Sequence, residues 1–124
     1  MITINNVYKS FEKLKVLNDV SVSCNTSECI ALIGPNGCGK TTLIKSILGM
    51  VVPDKGIITF NNKNISKDWE YRKHIGYMPQ IGRYPENMSI RQVVNMIKNI
   101  RKYNSPIDEE LWHAFGLDPV SDKK

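Results

Sequence analysis

Nine consecutive residues, Gly34-Pro35-Asn36-Gly37-Cys38-Gly39-Lys40-Thr41-Thr42, fit the pattern G-x-x-x-x-G-K-[ST] and restrict the folds open to this chain more than any other feature. Four fixed positions coincide by chance in only about a few chains per thousand of this length, so the match carries weight by itself. It also demands a setting. A strand must deliver the chain to the loop and a helix must lead it away. The flanks meet that demand, because Cys29-Ile30-Ala31-Leu32-Ile33 is a continuous apolar run expected to be a strand buried on both faces. After the loop, Leu43, Ile44, Ile47 and Leu48 recur at helical spacing over Thr42 to Leu48, and Gly49 stands where a C-terminal glycine cap belongs.

The chemistry of such a loop follows from the charge it must hold. A triphosphate concentrates negative charge, so its site needs many donors at short range with no bulky side chains between them. Gly37 and Gly39 let backbone N–H groups converge, and the N-terminus of the following helix adds partial positive charge. In this pattern Lys40 reaches the β- and γ-phosphates, the Thr41 hydroxyl ligates Mg²⁺, and Thr42 adds a donor toward the α-phosphate. A guanine reader Asn-Lys-x-Asp is missing; Asn62-Lys63-Asn64-Ile65 lacks the Asp. A small-molecule kinase would need an Arg-rich lid, and Arg83 and Arg91 are too isolated to form one.

The remaining sequence narrows the class. Seventeen basic and 12 acidic residues leave a net charge of +5. The basic residues are dispersed rather than gathered in one run, which argues against a nucleic-acid arm and for no nucleic-acid partner. No apolar stretch approaches the roughly 18 residues of a membrane span. The opening MITINNVYKSF lacks a basic region followed by an apolar one, so a cytoplasmic location is expected. Cys24, Cys29 and Cys38 form no C-x-x-C pair and read as reduced thiols.

Along the chain, Val20-Ser21-Val22-Ser23-Cys24 alternates as a half-buried strand does. Pro53 to Gly56 is a turn, Ile57 to Phe60 a short strand, Asn61 to Lys63 another turn, and Ile75 to Met78 a further expected buried strand. Ser89 and Gln92 predict a capping box, with Met88 and Val93 as its hydrophobic staple and Ile90, Val93, Val94 and Ile97 on one apolar face. A second helix is expected from Ser105 and Pro106 to Gly116.

The wording GPNGCGKTTL resembles the ATP-binding subunits of ABC transporters. Tyr8-Lys9-Ser10-Phe11 falls where that family places an adenine-stacking aromatic, Ile75-Gly76-Tyr77-Met78-Pro79-Gln80 is similar to its Q-loop, and LNDVSV at 17–22 and PDKGIITF at 53–60 match its strand-and-turn wording. The resemblance covers almost the whole chain. It implies an α/β fold of the P-loop NTPase, ABC-ATPase type, present in part, with an N-terminal antiparallel β-subdomain and the start of the helical subdomain. Residues 1–80 would be the ATP-binding core with β-subdomain, phosphate loop and Q-loop, and residues 81–124 the start of the helical subdomain. The implied nucleotide contacts are Phe11, with Tyr8 as the alternative platform, and Gly34, Pro35, Asn36, Gly37, Cys38, Gly39, Lys40, Thr41 and Thr42. Lys40 and Gln80 are the implied catalytic residues, and Thr41 and Gln80 the implied Mg²⁺ ligands. ATP and Mg²⁺ are thus the expected cofactors. Transmembrane transporter subunits and a second ATP-binding subunit are the expected partners, with a coupling helix docking on Ile81 to Asn87, where Tyr84 and Pro85 offer apolar contact. The protein would sit peripherally at the inner face of the membrane.

The family pattern goes on to an LSGGQ-like signature, an apolar strand ending in Asp-Glu, and a later His at the γ-phosphate. No Ser-Gly-Gly appears in this sequence, Asp108-Glu109-Glu110 follows a helix start rather than a strand, and His74 and His113 come too early for the last role. The expectation is the N-terminal half of a transport ATPase, a poor ATPase by itself, with apolar faces left exposed. A non-catalytic nucleotide- or subunit-binding module is the alternative.

Overall fold

The computed structural model describes residues 1–82, 84–101 and 112–123, which form two compact units, 1–76 and 77–124. The first unit is built on a four-stranded antiparallel sheet. Its strands are β1 (Ile2–Phe11), β2 (Leu14–Cys24), β3 (Lys55–Phe60) and β4 (Lys63–Asn64), in the order β2-β1-β3-β4. β1 occupies the centre and pairs antiparallel with both β2 and β3. Its alternation is interrupted, with Asn6 at φ 46° and register shifts on both sides. Such bulges sharpen the twist of a strand and re-aim the side chains beyond them. The β3–β4 connection places Asn61 and Asn62 at φ 48° and 64°, between the paired residues Phe60 and Lys63. Two left-handed residues are what a tight two-residue hairpin asks for, and Asn tolerates them best after Gly.

The core of this unit is Ile4, Val7, Leu17, Leu43 and Ile58, with Ile2, Val20, Ile47 and Ile65 packed around them. Four of the five core residues come from the sheet and one, Leu43, from α1 (Lys40–Ile47), so the helix is held by the sheet face that its apolar side covers. Buried Ser46 fits this dry contact because its hydroxyl donates to the Thr42 carbonyl at 2.9 Å, one turn back. Gly49, at φ 67°, closes the helix as expected.

Two expected strands are absent. Residues 29–33 and 75–78 have no regular secondary structure, and Ile33 and Met78 are each 88% exposed. The composition predicts a strand buried on both faces at 29–33 and a further buried strand at 75–78, but a strand exists only where another strand takes its N–H and C=O groups, and no ladder among the described residues includes either run; Ile75 N–H donates instead to the Arg72 carbonyl at 3.2 Å.

In the second unit the capping box forms reciprocally: Ser89 N–H donates to Gln92 Oε1 at 2.8 Å and Gln92 N–H to Ser89 Oγ at 3.3 Å. It opens α2 (Ile90–Arg101), whose first N–H groups also donate to the carbonyls of Ser121 and Lys123. Val93 and Val94 are half-buried, whereas Ile90 and Ile97 on the same face stay exposed. The start of the second expected helix, Ser105 and Pro106, lies outside the described residues; 112–114 are helical and Gly116, at φ 58°, follows them. Trp112 Nε1 donates to Asp118 Oδ1 at 2.9 Å and, with His113 and Arg91, holds that carboxyl below the usual range.

Candidate functional site

The phosphate loop is shaped by where its glycines must go. Gly37 and Gly39 stand at φ 82° and 98°, in the region that side chains avoid. Gly39 is buried as well, pressed against β2: a Cβ there would lie 2.7 Å from the Val16 carbonyl oxygen and 3.1 Å from Leu17 Cδ2. Gly37 meets nothing within 4 Å, so its requirement is backbone conformation alone. The loop is thereby docked on one strand at its C-terminal end and open at its tip.

α1 begins at Lys40, directly after Gly39. Glycine has no side chain with which to cap a helix, and no acidic residue stands in the first turn. The leading N–H groups and the positive pole of the helix therefore face outward without a competing carboxylate, which is the chemistry an anion requires. Leu43 N–H already donates to the Gly39 carbonyl at 2.8 Å, so the helix proper is closed from that point.

Lys40 folds back over the loop. Its ammonium donates to the carbonyls of Gly34 at 2.7 Å and Pro35 at 2.8 Å, and lies 3.7 Å from Cys38 Sγ. This puts a cation in the concavity and keeps the loop's two ends in contact. Thr41 is exposed and Thr42 half-buried, while Asn36 and Cys38 are exposed on the loop. Among the described residues no three His, Cys, Asp or Glu side chains cluster as a metal site.

Phe11, the last residue of β1, pairs with Leu14 across the β1–β2 turn and is 47% exposed. Lys9, on the same strand, pairs with Leu17, which is one of the two residues Gly39 rests on. Phe11 and the loop thus share the β1–β2 ribbon as a common frame, about 10 Å apart along the strand from Leu14 to Leu17. Tyr8, the alternative aromatic, is half-buried one residue before Lys9. Gln80 belongs to the second unit, exposed beside Pro79, and Tyr84 and Pro85 are exposed in the same unit.

Two arrangements escaped the sequence reading. Lys9 Nζ donates to Asp54 Oδ1 at 2.8 Å while Ser10 N–H donates to Asp54 Oδ2 at 2.7 Å, and these bonds hold the Asp54 carboxyl below its ordinary pKa. Lys9 and Phe11 at i, i+2 on a strand could have signalled a shared face; nothing in the sequence points to Asp54. At the far end of α1, the Tyr71 hydroxyl donates to the Ile47 carbonyl at 2.9 Å and Arg72 Nη2 to the Gly49 carbonyl at 3.1 Å. Both come from a short 3₁₀ helix, Glu70–His74, whose meeting with α1 is set by the tertiary fold.

Comparison with known proteins agrees with this geometry. The family model described as ABC transporter matches residues 17–123. The sulfate/thiosulfate import ATP-binding protein CysA of Pectobacterium atrosepticum is 33% identical over 98% of this chain and 39% of its own length. The lipopolysaccharide export system ATP-binding protein LptB of Haemophilus influenzae is 31% identical over 98% of this chain and 54% of its own. The chain thus spans about two fifths to one half of these relatives. Among solved structures, an ATP-binding subunit of an ABC transporter superposes with a TM-score of 0.84 at 26% identity, over 98% of this chain and 53% of that one. A nucleotide-free ATP-binding cassette from an ABC transporter gives 0.77 at 27% identity, over 100% of this chain and 57% of that one.

Proposed function

Since this chain belongs to the ABC transporter family, we propose that it binds ATP with Mg²⁺ and corresponds to the N-terminal half of an ATPase subunit that couples ATP binding and hydrolysis to transport across a membrane. The observation that supports this most is the open N-terminus of α1, presented after Gly39 with the Lys40 ammonium folded over the loop. Phosphate oxygens would take the amides of the Gly37 to Thr42 stretch, and Lys40 would exchange the Gly34 and Pro35 carbonyls for the β- and γ-phosphates. The Thr41 hydroxyl would supply one ligand to Mg²⁺, which keeps several waters and phosphate oxygens in its shell and so needs few protein donors. Phe11 would stack on adenine. Gln80 would contact the metal or the attacking water and pass nucleotide state to a transmembrane partner.

Within this reading residues 1–80 supply the ATP-binding core and residues 81–124 the start of the helical subdomain. Phosphoryl transfer depends on positioned charge around the γ-phosphate and on an oriented water. The loop and Lys40 hold part of that charge. The remaining groups, an SGG-containing signature, an Asp-Glu strand end and a later His, are not in this sequence, so turnover by these residues alone is expected to be slow. Transmembrane subunits and a second ATP-binding subunit are the partners, and they place the protein peripherally at the inner membrane face. A second reading is a non-catalytic nucleotide- or subunit-binding module, which shares the ATP site and differs in showing no turnover when its partners are added.

The test is calorimetric titration of the intact protein with ATP and Mg²⁺. Losing a charge-assisted contact at Lys40→Ala should weaken binding about 10- to 100-fold. Unaltered affinity in that variant would refute the site.

A further inference from the structure

We propose that Lys9 and Asp54 form a positioning pair for the Phe11 ring, backing one of its faces with a fixed ammonium and leaving the other to the base of the nucleotide. The inference rests on the reading of Phe11 as the base platform and names what holds that platform still. A ring on the last residue of a strand, beside a turn, has little local structure to fix its rotamer. Phe11 sits in that position and is about half open to solvent. Lys9 Nζ nevertheless lies 5.5 Å from the Phe11 ring centroid, within the roughly 6 Å over which a cation is attracted to a ring face.

That ammonium is not free to wander. Lys9 is only 17% exposed along its side chain, and its head is bonded to Asp54 Oδ1 at 2.8 Å. The second carboxylate oxygen of Asp54 accepts from the Ser10 amide at 2.7 Å, and the Asp54 N–H donates to the Tyr8 carbonyl at 2.8 Å. Asp54, at the entry to β3, therefore grips Tyr8, Lys9 and Ser10, the three residues that lead into Phe11. The other side of the same ribbon carries Leu17, paired with Lys9 and touching the phosphate loop where Gly39 docks. A base on the ring and a phosphate in the loop would be registered through one stiff pair of strands. The recognised group is a purine or other flat base attached to a polyphosphate, and the effect of the pair should fall on the base alone.

Two probes separate these parts: ATP, which uses ring and loop, and inorganic tripolyphosphate, which uses the loop only. Both are titrated calorimetrically into the intact protein. In Lys9→Ala the unpinned ring must be ordered on binding, so ATP should weaken about three- to tenfold, with tripolyphosphate unchanged. Asp54→Asn should give the same split, and Lys9→Arg, which keeps a cation over the ring, should recover most of the ATP affinity. Equal weakening of both probes would make the pair merely structural and overturn the proposal. Unchanged or tighter ATP binding in both Lys9→Ala and Asp54→Asn would overturn it too. Failure of the unaltered protein to bind either probe is a different result, and it would sink the nucleotide reading itself.

Discussion

Substituting the two left-handed glycines of the phosphate loop by alanine should separate backbone strain from steric exclusion. Placing a Cβ in the left-handed region costs about 1–2 kcal/mol at either position. At Gly37 that is the whole cost, because a Cβ there meets nothing within 4 Å. At Gly39 the new methyl would sit 2.7 Å from the Val16 carbonyl oxygen, 3.1 Å from Leu17 Cδ2 and 3.3 Å from Val16 Cγ1. The oxygen belongs to a paired strand and Leu17 to the core, so neither yields easily, and forced overpacking adds about 1–3 kcal/mol. The entropy that alanine removes from the unfolded chain offsets both substitutions alike and cancels in their difference. Gly39→Ala should therefore destabilise by about 1–3 kcal/mol more than Gly37→Ala, read as a lower urea midpoint at an unchanged slope on the intact protein. Equal shifts, or a larger one at Gly37, would refute the docking of Gly39 on β2 as the reason glycine is needed there.

Asp54 has a folded pKa below its unfolded one, first through the Lys9 hydrogen bond and then through the Ser10 amide, so its stabilisation is present above the ordinary carboxylate pKa and lost as pH falls through the folded value. Acid titration of stability should accordingly flatten over that window in Asp54→Asn, and an unchanged pH profile would mean the contact contributes nothing. In the second unit, Ser89→Ala removes the Oγ acceptor of the Gln92 amide and half of the capping box. It should cost about 1 kcal/mol of α2 stability, measured as faster amide exchange in the first turn of that helix; an unchanged rate would deny the box a role.

Local chemistry was legible in advance. The glycine pattern, the Leu43-to-Leu48 spacing, the Gly49 cap, the Asn61-Asn62 turn and the Ser89–Gln92 box each act over a few residues, and each has the structure its residues specify. Pairing was not legible. Residues 29–33 and 75–78 have the composition of buried strands, but composition cannot supply the neighbouring strand that a ladder needs. β1 was hard to see for the opposite reason: its bulge at Asn6 breaks the alternation that would announce a central strand. The Lys9–Asp54 bond joins residues 45 apart, and the Tyr71 bond to Ile47 spans 24, so both arise only when the sheet has brought distant segments together.

The bonds at the far end of α1 also alter the electrostatics at its near end. A helix carries roughly half a charge of each sign at its two ends, here about 12 Å apart over eight residues. The negative end is occupied: Tyr71 takes the Ile47 carbonyl, Lys45 stands in the last turn, and the guanidinium of Arg72, bonded to the Gly49 carbonyl just past the helix, brings a full positive charge. The positive end carries no counter-charge and adds Lys40. Seen from the loop, α1 therefore behaves less as a dipole, whose two ends cancel with distance, than as a single positive pole. An anion approaching the loop would meet a field that decays as that of a monopole, limited only by salt screening.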